Sequence, residues 1–189
     1  MEVALYFGSF NPIHNGHLII ANTILREGDF DKLWFVISPQ NPLKPQASLL
    51  NEYHRKYLID LAIEGESKLK ASSVEFKLPR PSFTIDTLVY LTEKYPAFKF
   101  SVIMGSDSYQ NLGKWKNFEL IIKDYKIIIY ERPGFMVPKG LPKNICCVKA
   151  PLLDISSTNI RELLRNNKSI KFLVPDLVKE EIERNHYYR

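Results

Sequence analysis

A doubly wound α/β fold, in which a parallel sheet is covered by helices on both faces, is predicted for this chain by three observations. Short continuous apolar runs recur at Val3 to Phe7, Leu33 to Ile37, Val102 to Met104 and Ile127 to Tyr130, as suits parallel strands buried on both faces. Between most of them apolar residues fall at three-and-four spacing, at Leu18 to Leu25, Tyr53 to Ile63 and Ile85 to Leu91, the stripe of a helix packed on a sheet. Proline- and glycine-rich breaks punctuate the series. Strands and helices in alternation are the pattern of a parallel sheet with crossover helices.

In chain order, the run from Val3 predicts the first strand and ends in a turn over residues 8 to 17, with a helix from Leu18. The second strand, Leu33 to Ile37, leads into residues 38 to 48, which hold Pro39, Pro42 and Pro45 and read as a surface loop. Helices over 53 to 63 and 85 to 91 precede the strand at Val102, and a loop is expected over 105 to 115. After the strand ending at Tyr130, residues 131 to 144 contain Pro133, Gly134, Pro138, Gly140 and Pro142 and form a second break. A further strand near Ile145 to Lys149, a turn at Ser156-Ser157-Thr158-Asn159, a short helix from about Ile160 and a last helix from about Pro175 complete the chain. One domain spanning 1 to 189, with a small helical part from about 157, accounts for all of it. In such sheets ligands gather outside the carboxyl ends of the strands, so the loops at 8–17, 38–48, 105–115 and 154–161 are expected to meet.

The bulk composition excludes several classes. With 45% hydrophobic and 25% charged residues, the chain is neither disordered nor a membrane protein, and no apolar run approaches a membrane span. No basic segment followed by an apolar stretch opens the sequence, so a cytoplasmic protein is expected. The net charge of +5 is spread along the chain with no long basic run, which argues against nucleic acid as a partner. Cys146 and Cys147 lie in an apolar-looking stretch with no second pair, and read as buried structural cysteines rather than metal ligands.

The chemistry concentrates in Gly8-Ser9-Phe10-Asn11-Pro12-Ile13-His14-Asn15-Gly16-His17. A strand that ends in a small-residue turn and feeds a helix aims backbone N–H groups and the positive end of the helix dipole at one spot, which suits an anion. His14 and His17 add side-chain donors, and Gly8 and Gly16 admit a bulky ligand close to the backbone. His54 and His186 stand without a matching partner, so a zinc site is not indicated. Ser157, Thr158 and Arg161 repeat the logic of the first motif: hydroxyls, helix N–H groups and a guanidinium at one helix start.

His14-Asn15-Gly16-His17 resembles the HxGH signature of the nucleotidyltransferase superfamily, and Ile155-Ser156-Ser157-Thr158-Asn159-Ile160-Arg161 resembles its ISSTxIR signature. Thr84-Ile85-Asp86-Thr87-Leu88, Met104-Gly105-Ser106-Asp107, Lys114-Trp115, Glu131-Arg132-Pro133-Gly134 and Val174-Pro175-Asp176 follow in the order seen in bacterial nicotinate-nucleotide adenylyltransferases. That resemblance spans nearly the whole chain. It implies a Rossmann-like fold of the nucleotidyltransferase type and adenylyl transfer from ATP to nicotinate mononucleotide, giving nicotinate adenine dinucleotide and pyrophosphate in NAD biosynthesis. It also implies ATP at Gly8, Ser9, Phe10, His14, Gly16, His17, Gly105, Asp107, Arg132, Ser157, Thr158 and Arg161, with the ribose at Gly105 and Asp107. The mononucleotide is implied at Ser9, Phe10, Lys44, Thr84 and Trp115, and His17, His14 and Lys44 are implied as the catalytic groups. Thr84 is expected to cap a helix and help bind the carboxylate, and Trp115 to stack on the pyridinium ring.

Three departures from the family pattern stand out. Asn41-Pro42-Leu43-Lys44 replaces a Pro-Pro-His-Lys element, so Leu43 stands where a loop histidine is usual. The opening turn carries Ser9 and Asn11 in place of frequent Gly and Asp, and Glu131 replaces a common arginine. The attacking phosphate, with a second pKa of about 6, needs no general base, so catalysis reduces to alignment and charge stabilisation. Mg²⁺ is expected to arrive on the ATP phosphates, since no carboxylate cage is evident. Nicotinamide mononucleotide or phosphopantetheine as acceptor, a nucleotide-binding module without turnover, and assembly into a homo-oligomer all remain open at this point.

Overall fold

The computed structural model describes residues 1–40, 49–138, 140–151 and 153–189. Six strands, β1 (Glu2–Gly8), β2 (Lys32–Ile37), β3 (Leu69–Ser72), β4 (Lys99–Gly105), β5 (Lys126–Tyr130) and β6 (Ile145–Val148), form one sheet in the order β3-β2-β1-β4-β5-β6. Every pairing is parallel. The chain winds outward from β1 to β3, then returns to lay β4 on the other side of β1. Their carboxyl ends therefore diverge into a crevice at the topological switch point.

The helices are α1 (Asn15–Glu27), α2 (Glu52–Ala62), α3 (Thr84–Lys94), α4 (Ser106–Gln110), α5 (Phe118–Asp124), α6 (Ser157–Arg165) and α7 (Asp176–Arg184). Strand side chains alternate between faces, and β1 shows how this divides the core. Ala4 and Tyr6 join one cluster with Ile24 of α1, Leu58 of α2, Ile160 of α6 and Val178 of α7. Val3 and Leu5 join the other with Leu88 of α3 and Ile121 of α5. The expected two-faced burial is thus realised, with α1, α2, α6 and α7 on one side of the sheet. Among the described residues no helix is long and apolar enough to cross a membrane.

Several expectations are corrected. Residues 105–115 are not a plain loop: they hold α4 and a 3₁₀ turn at Leu112–Lys114, both too short to show a helical period. Helix α1 begins at Asn15, so His17 belongs to its first turn, and α6 begins at Ser157 rather than near Ile160. Strand β3 lacks a strong apolar run because only Ala71 and Ser72 are buried at that edge of the sheet. Cys146 is half-buried and Cys147 exposed, not buried as expected, because β6 is the opposite edge strand.

Candidate active site

The crevice above β1 and β4 has two communicating lobes of about 460 and 600 Å³. Tyr6, Gly8, Ser9, Asp107, Ser108 and Tyr130 line both and form their shared floor. The smaller lobe is built on the turn after β1. Phe10 sits there at φ 46, a left-handed conformation that a non-glycine residue adopts at a cost. Its ring is buried edge-on against Tyr6, Phe35 and His17, and that packing holds the turn in place. Asn15 ties the next residues to the C-terminal segment, with its backbone N–H donating to Leu173 O at 2.9 Å and its amide to Phe172 O at 2.8 Å.

His14 precedes α1 and is buried, while His17 is half-exposed. Their rings stack with centroids 3.7 Å apart. Burial, then the Arg132 guanidinium, pushes the His14 pKa from 6.5 down to about 4, so the ring is neutral at pH 7. Among the described residues its buried Nδ1 has no hydrogen-bond partner, and a proton on Nε2 leaves only a lone pair there. A Cβ on Gly16 would stand 3.0 Å from that Nδ1, so glycine is what allows the ring to lie there. Because the folded pKa is below the unfolded one, stability from the neutral ring is complete above pH 6.5 and is lost as pH falls towards about 4. That loss is on the order of 3 kcal/mol. An NMR titration of His14 in the free protein is expected to give a midpoint near 4; a midpoint near 6.5 would count against this burial.

The amino end of α6 closes the same lobe. Ser156 caps it by accepting from Asn159 N at 3.2 Å, so the cap is Ser156, a residue outside the expected binding set. Ser157 Oγ donates to Pro12 O at 2.9 Å, and Arg161 Nη1 donates to Asn11 O at 2.8 Å. These bonds bolt the late helix onto the first motif. They also commit the single Ser157 proton, whereas Thr158 Oγ1 accepts from Arg161 Nη2 at 3.3 Å and keeps its own proton to donate.

On the other side, Gly105 ends β4 and Ser106 opens α4. A Cβ at Gly105 would collide with the Asp107 carboxylate, so this position too is set by close approach. Asp107 Oδ1 lies 3.5 Å from Arg132 Nε, and Ser106 Oγ accepts from Arg132 N at 2.9 Å. Arg132 Nη2 donates to the Tyr130 hydroxyl at 3.3 Å, as does the Tyr6 hydroxyl at 3.2 Å.

The larger lobe is walled by Phe83, Thr84, Trp115 and Phe135. Thr84 is the first residue of α3 and Phe83 its cap, with no side-chain capping bond; the expectation of a Thr84 cap is corrected. The first intrahelical bonds run from Asp86 N and Thr87 N to Phe83 O, so the N–H groups of Thr84 and Ile85 precede the ladder, at the positive end of the dipole. Trp115 follows the 3₁₀ turn, half-buried against the second core. Lys44 and Leu43 lie outside the described residues.

Sequence reasoning passed over three groups. Glu75 is buried and accepts from Ser38 at 3.0 Å, Ser82 at 2.5 Å and Thr87 at 2.9 Å. Burial pushes its pKa up against those hydroxyls, and it ties the end of β2 to the start of α3 in the wall of the larger lobe. Arg55 is buried beneath the turn, and Tyr6 and Tyr130 form the floor. Nothing in their local sequence marks them, because each acts on residues distant in the chain. Among the described residues no cluster of three His, Cys, Asp or Glu side chains could hold a metal ion.

A cytidylyltransferase-like family pattern matches residues 5–163. The probable nicotinate-nucleotide adenylyltransferase of Flavobacterium psychrophilum is 45% identical over 192 residues, covering 100% of both chains. That of Cytophaga hutchinsonii is 46% identical, covering 100% of this chain and 98% of its own. Plasmodium falciparum nicotinic acid mononucleotide adenylyltransferase complexed with NaAD shares the fold with a TM-score of 0.83 at 24% identity, covering 99% of this chain and 97% of that one. Together with the two motifs converging on one crevice, these matches establish that the chain belongs to the cytidylyltransferase-like family and, within it, to the nicotinate-nucleotide adenylyltransferases.

Proposed function

We propose that the protein transfers the adenylyl group of ATP to the 5′-phosphate of nicotinate mononucleotide, forming nicotinate adenine dinucleotide and pyrophosphate in NAD biosynthesis. The observation that carries this reading is the pair of lobes sharing one floor. One offers imidazoles, a guanidinium and two helix starts to a triphosphate; the other offers a helix start and an indole to a carboxylated pyridinium. A mononucleotide phosphate oxygen attacks the α-phosphorus, the new P–O bond forms, and the bond to the bridging oxygen breaks as pyrophosphate leaves with its electron pair.

Residue roles follow from position. His17 donates to the α-phosphoryl oxygens from the first turn of α1. His14, neutral, donates once, and Thr158 and Arg161 with the α6 N–H groups take the β- and γ-phosphates. Ser157 contributes through its backbone N–H, its hydroxyl being held by Pro12. Gly8, Ser9, Phe10 and Gly16 shape the turn so that both phosphates approach the backbone; Gly105 and Asp107 receive the ribose, and Arg132 holds Asp107 in place. Thr84 and its neighbouring N–H groups bind the nicotinate carboxylate, Trp115 stacks on the ring, and Lys44 neutralises developing charge. Mg²⁺ would be held by ATP oxygens and water, where it would offset phosphate charge. The same reading expects a cytoplasmic enzyme with no nucleic-acid or membrane partner, and admits a homo-oligomer.

Pyrophosphate release with ATP and Mg²⁺ should be greatest with nicotinate mononucleotide. Nicotinamide mononucleotide, which offers the Thr84 helix start no negative charge, is expected to react with kcat/KM at least about tenfold lower. Phosphopantetheine has no ring for Trp115 and should be inactive. Equal rates with the two mononucleotides would remove Thr84 and its N–H groups from the specificity role.

A further inference from the structure

Tyr130 is the side chain whose bonding leaves something over. Its hydroxyl accepts from Tyr6 at 3.2 Å and from Arg132 Nη2 at 3.3 Å. A phenol has two acceptor positions and one proton, so both lone pairs are engaged and the proton has no acceptor among the described residues. The residue is buried to 5% exposure, yet it lines both lobes of the crevice. It stands on β5 opposite Gly105 of β4, where a Cβ would lie 3.2 Å from the ring carbon that carries the hydroxyl. Tyr6, its donor, packs edge-on against His17. The unassigned proton is therefore held at the junction of the lobes, beside the first motif.

We propose that the Tyr130 hydroxyl is a further catalytic donor, giving its hydrogen bond to an oxygen of the α-phosphoryl group as negative charge builds on it during transfer. The proposal rests on the adenylyl-transfer reading above. Two positive-end donors push the same way: the bonds from Tyr6 and from the Arg132 guanidinium draw electron density from the Tyr130 oxygen and polarise its O–H. Tyr6 has no such role, because its own proton is spent on Tyr130. No covalent step or proton transfer is required, since the phenol donates a hydrogen bond and retains its proton throughout.

The test is turnover of full-length Tyr130→Phe with ATP, Mg²⁺ and nicotinate mononucleotide, alongside Tyr6→Phe and the unaltered protein. Tyr130→Phe keeps the ring and removes the donor, and kcat should fall about 10- to 100-fold while both KM values stay within about threefold. Tyr6→Phe leaves the Tyr130 proton in place and should lose turnover by a clearly smaller factor. Tyr130→Phe with kcat within about twofold of the unaltered protein overturns the proposal, as does an equal loss in both variants, which would mean that the phenol pair only braces Arg132. A melting temperature for each variant separates misfolding from lost chemistry; if Tyr130→Phe fails to fold, 3-fluorotyrosine at position 130, which keeps the ring and makes the O–H a stronger donor, must change kcat, and an unchanged kcat overturns the proposal. Unaltered protein that forms no dinucleotide overturns the reaction assignment itself, whereas an active protein indifferent to Tyr130→Phe overturns only the role of Tyr130.

Discussion

Alanine at position 17 is expected to lower kcat by about 10²- to 10³-fold, the usual cost of removing a donor to a developing oxyanion. His17 lies in the first turn of α1, where the dipole and free N–H groups already favour an anion. Its ring is fixed from three sides: stacked on His14 at 3.7 Å, and edge-on to Phe10 at 5.1 Å and Tyr6 at 5.9 Å. A donor held this way loses no reorganisation energy when charge moves onto the α-phosphate, so its effect belongs in kcat rather than in KM. Being half-exposed, the side chain contributes little to the core, and the melting temperature of the variant should stay within a few degrees of the unaltered protein. The check is single-turnover and steady-state pyrophosphate release. Near-normal turnover in a folded variant would remove His17 from the chemistry.

Arg55→Met should cost on the order of 3 to 5 kcal/mol of folding stability. The guanidinium is fully buried and, among the described residues, donates to four carbonyls: Leu50 O at 2.8 Å, Ser9 O at 2.6 Å, Ser38 O at 2.9 Å and Pro39 O at 3.2 Å. Burial pushes its pKa down to about 10, so it remains charged at neutral pH. Methionine fills much of the volume but leaves these acceptors without a donor, and an unsatisfied buried carbonyl is costly. Lysine keeps the charge but brings three donors from a single point to acceptors spread over a planar fork, and should recover only part of the loss. The consequence reaches the crevice, because Ser9 lies in the turn after β1 that lines it, and Pro39 and Leu50 flank the segment that carries Lys44. Urea unfolding of the three proteins measures the effect; a methionine variant within about 1 kcal/mol of the unaltered protein would show that these carbonyls find other donors.

The order of strands and helices was legible because it is written in local periodicity. Continuous apolar runs mark strands buried on both faces, and three-and-four spacing marks α1, α2 and α3. Strand β3, with its weak pattern, and the short helices α4 and α5 were illegible for the same reason: they present less than two clear periods. The turn between β1 and α1 was equally readable, since a glycine-bounded turn between a strand and a helix needs no distant partner to define it. The residues whose roles depend on distant partners were not. Tyr6 meets Tyr130, Arg161 meets Asn11, Ser157 meets Pro12 and Glu75 gathers Ser38, Ser82 and Thr87 only after the sheet has formed.

Local sequence thus determined which segments become strands and helices, where the glycine- and serine-bounded turns before α1 and α6 fall and, through its two motifs, which family the chain resembles. The tertiary structure decided which hydroxyls remain free to meet a ligand. It set Ser156 as the cap of α6, took Thr84 out of the capping position, buried His14 into neutrality and left Tyr130 with a proton to give. The physical reason is that secondary structure follows from backbone geometry and side-chain periodicity within a few residues, whereas the state of a donor depends on burial and on partners that only the folded sheet brings within hydrogen-bonding distance.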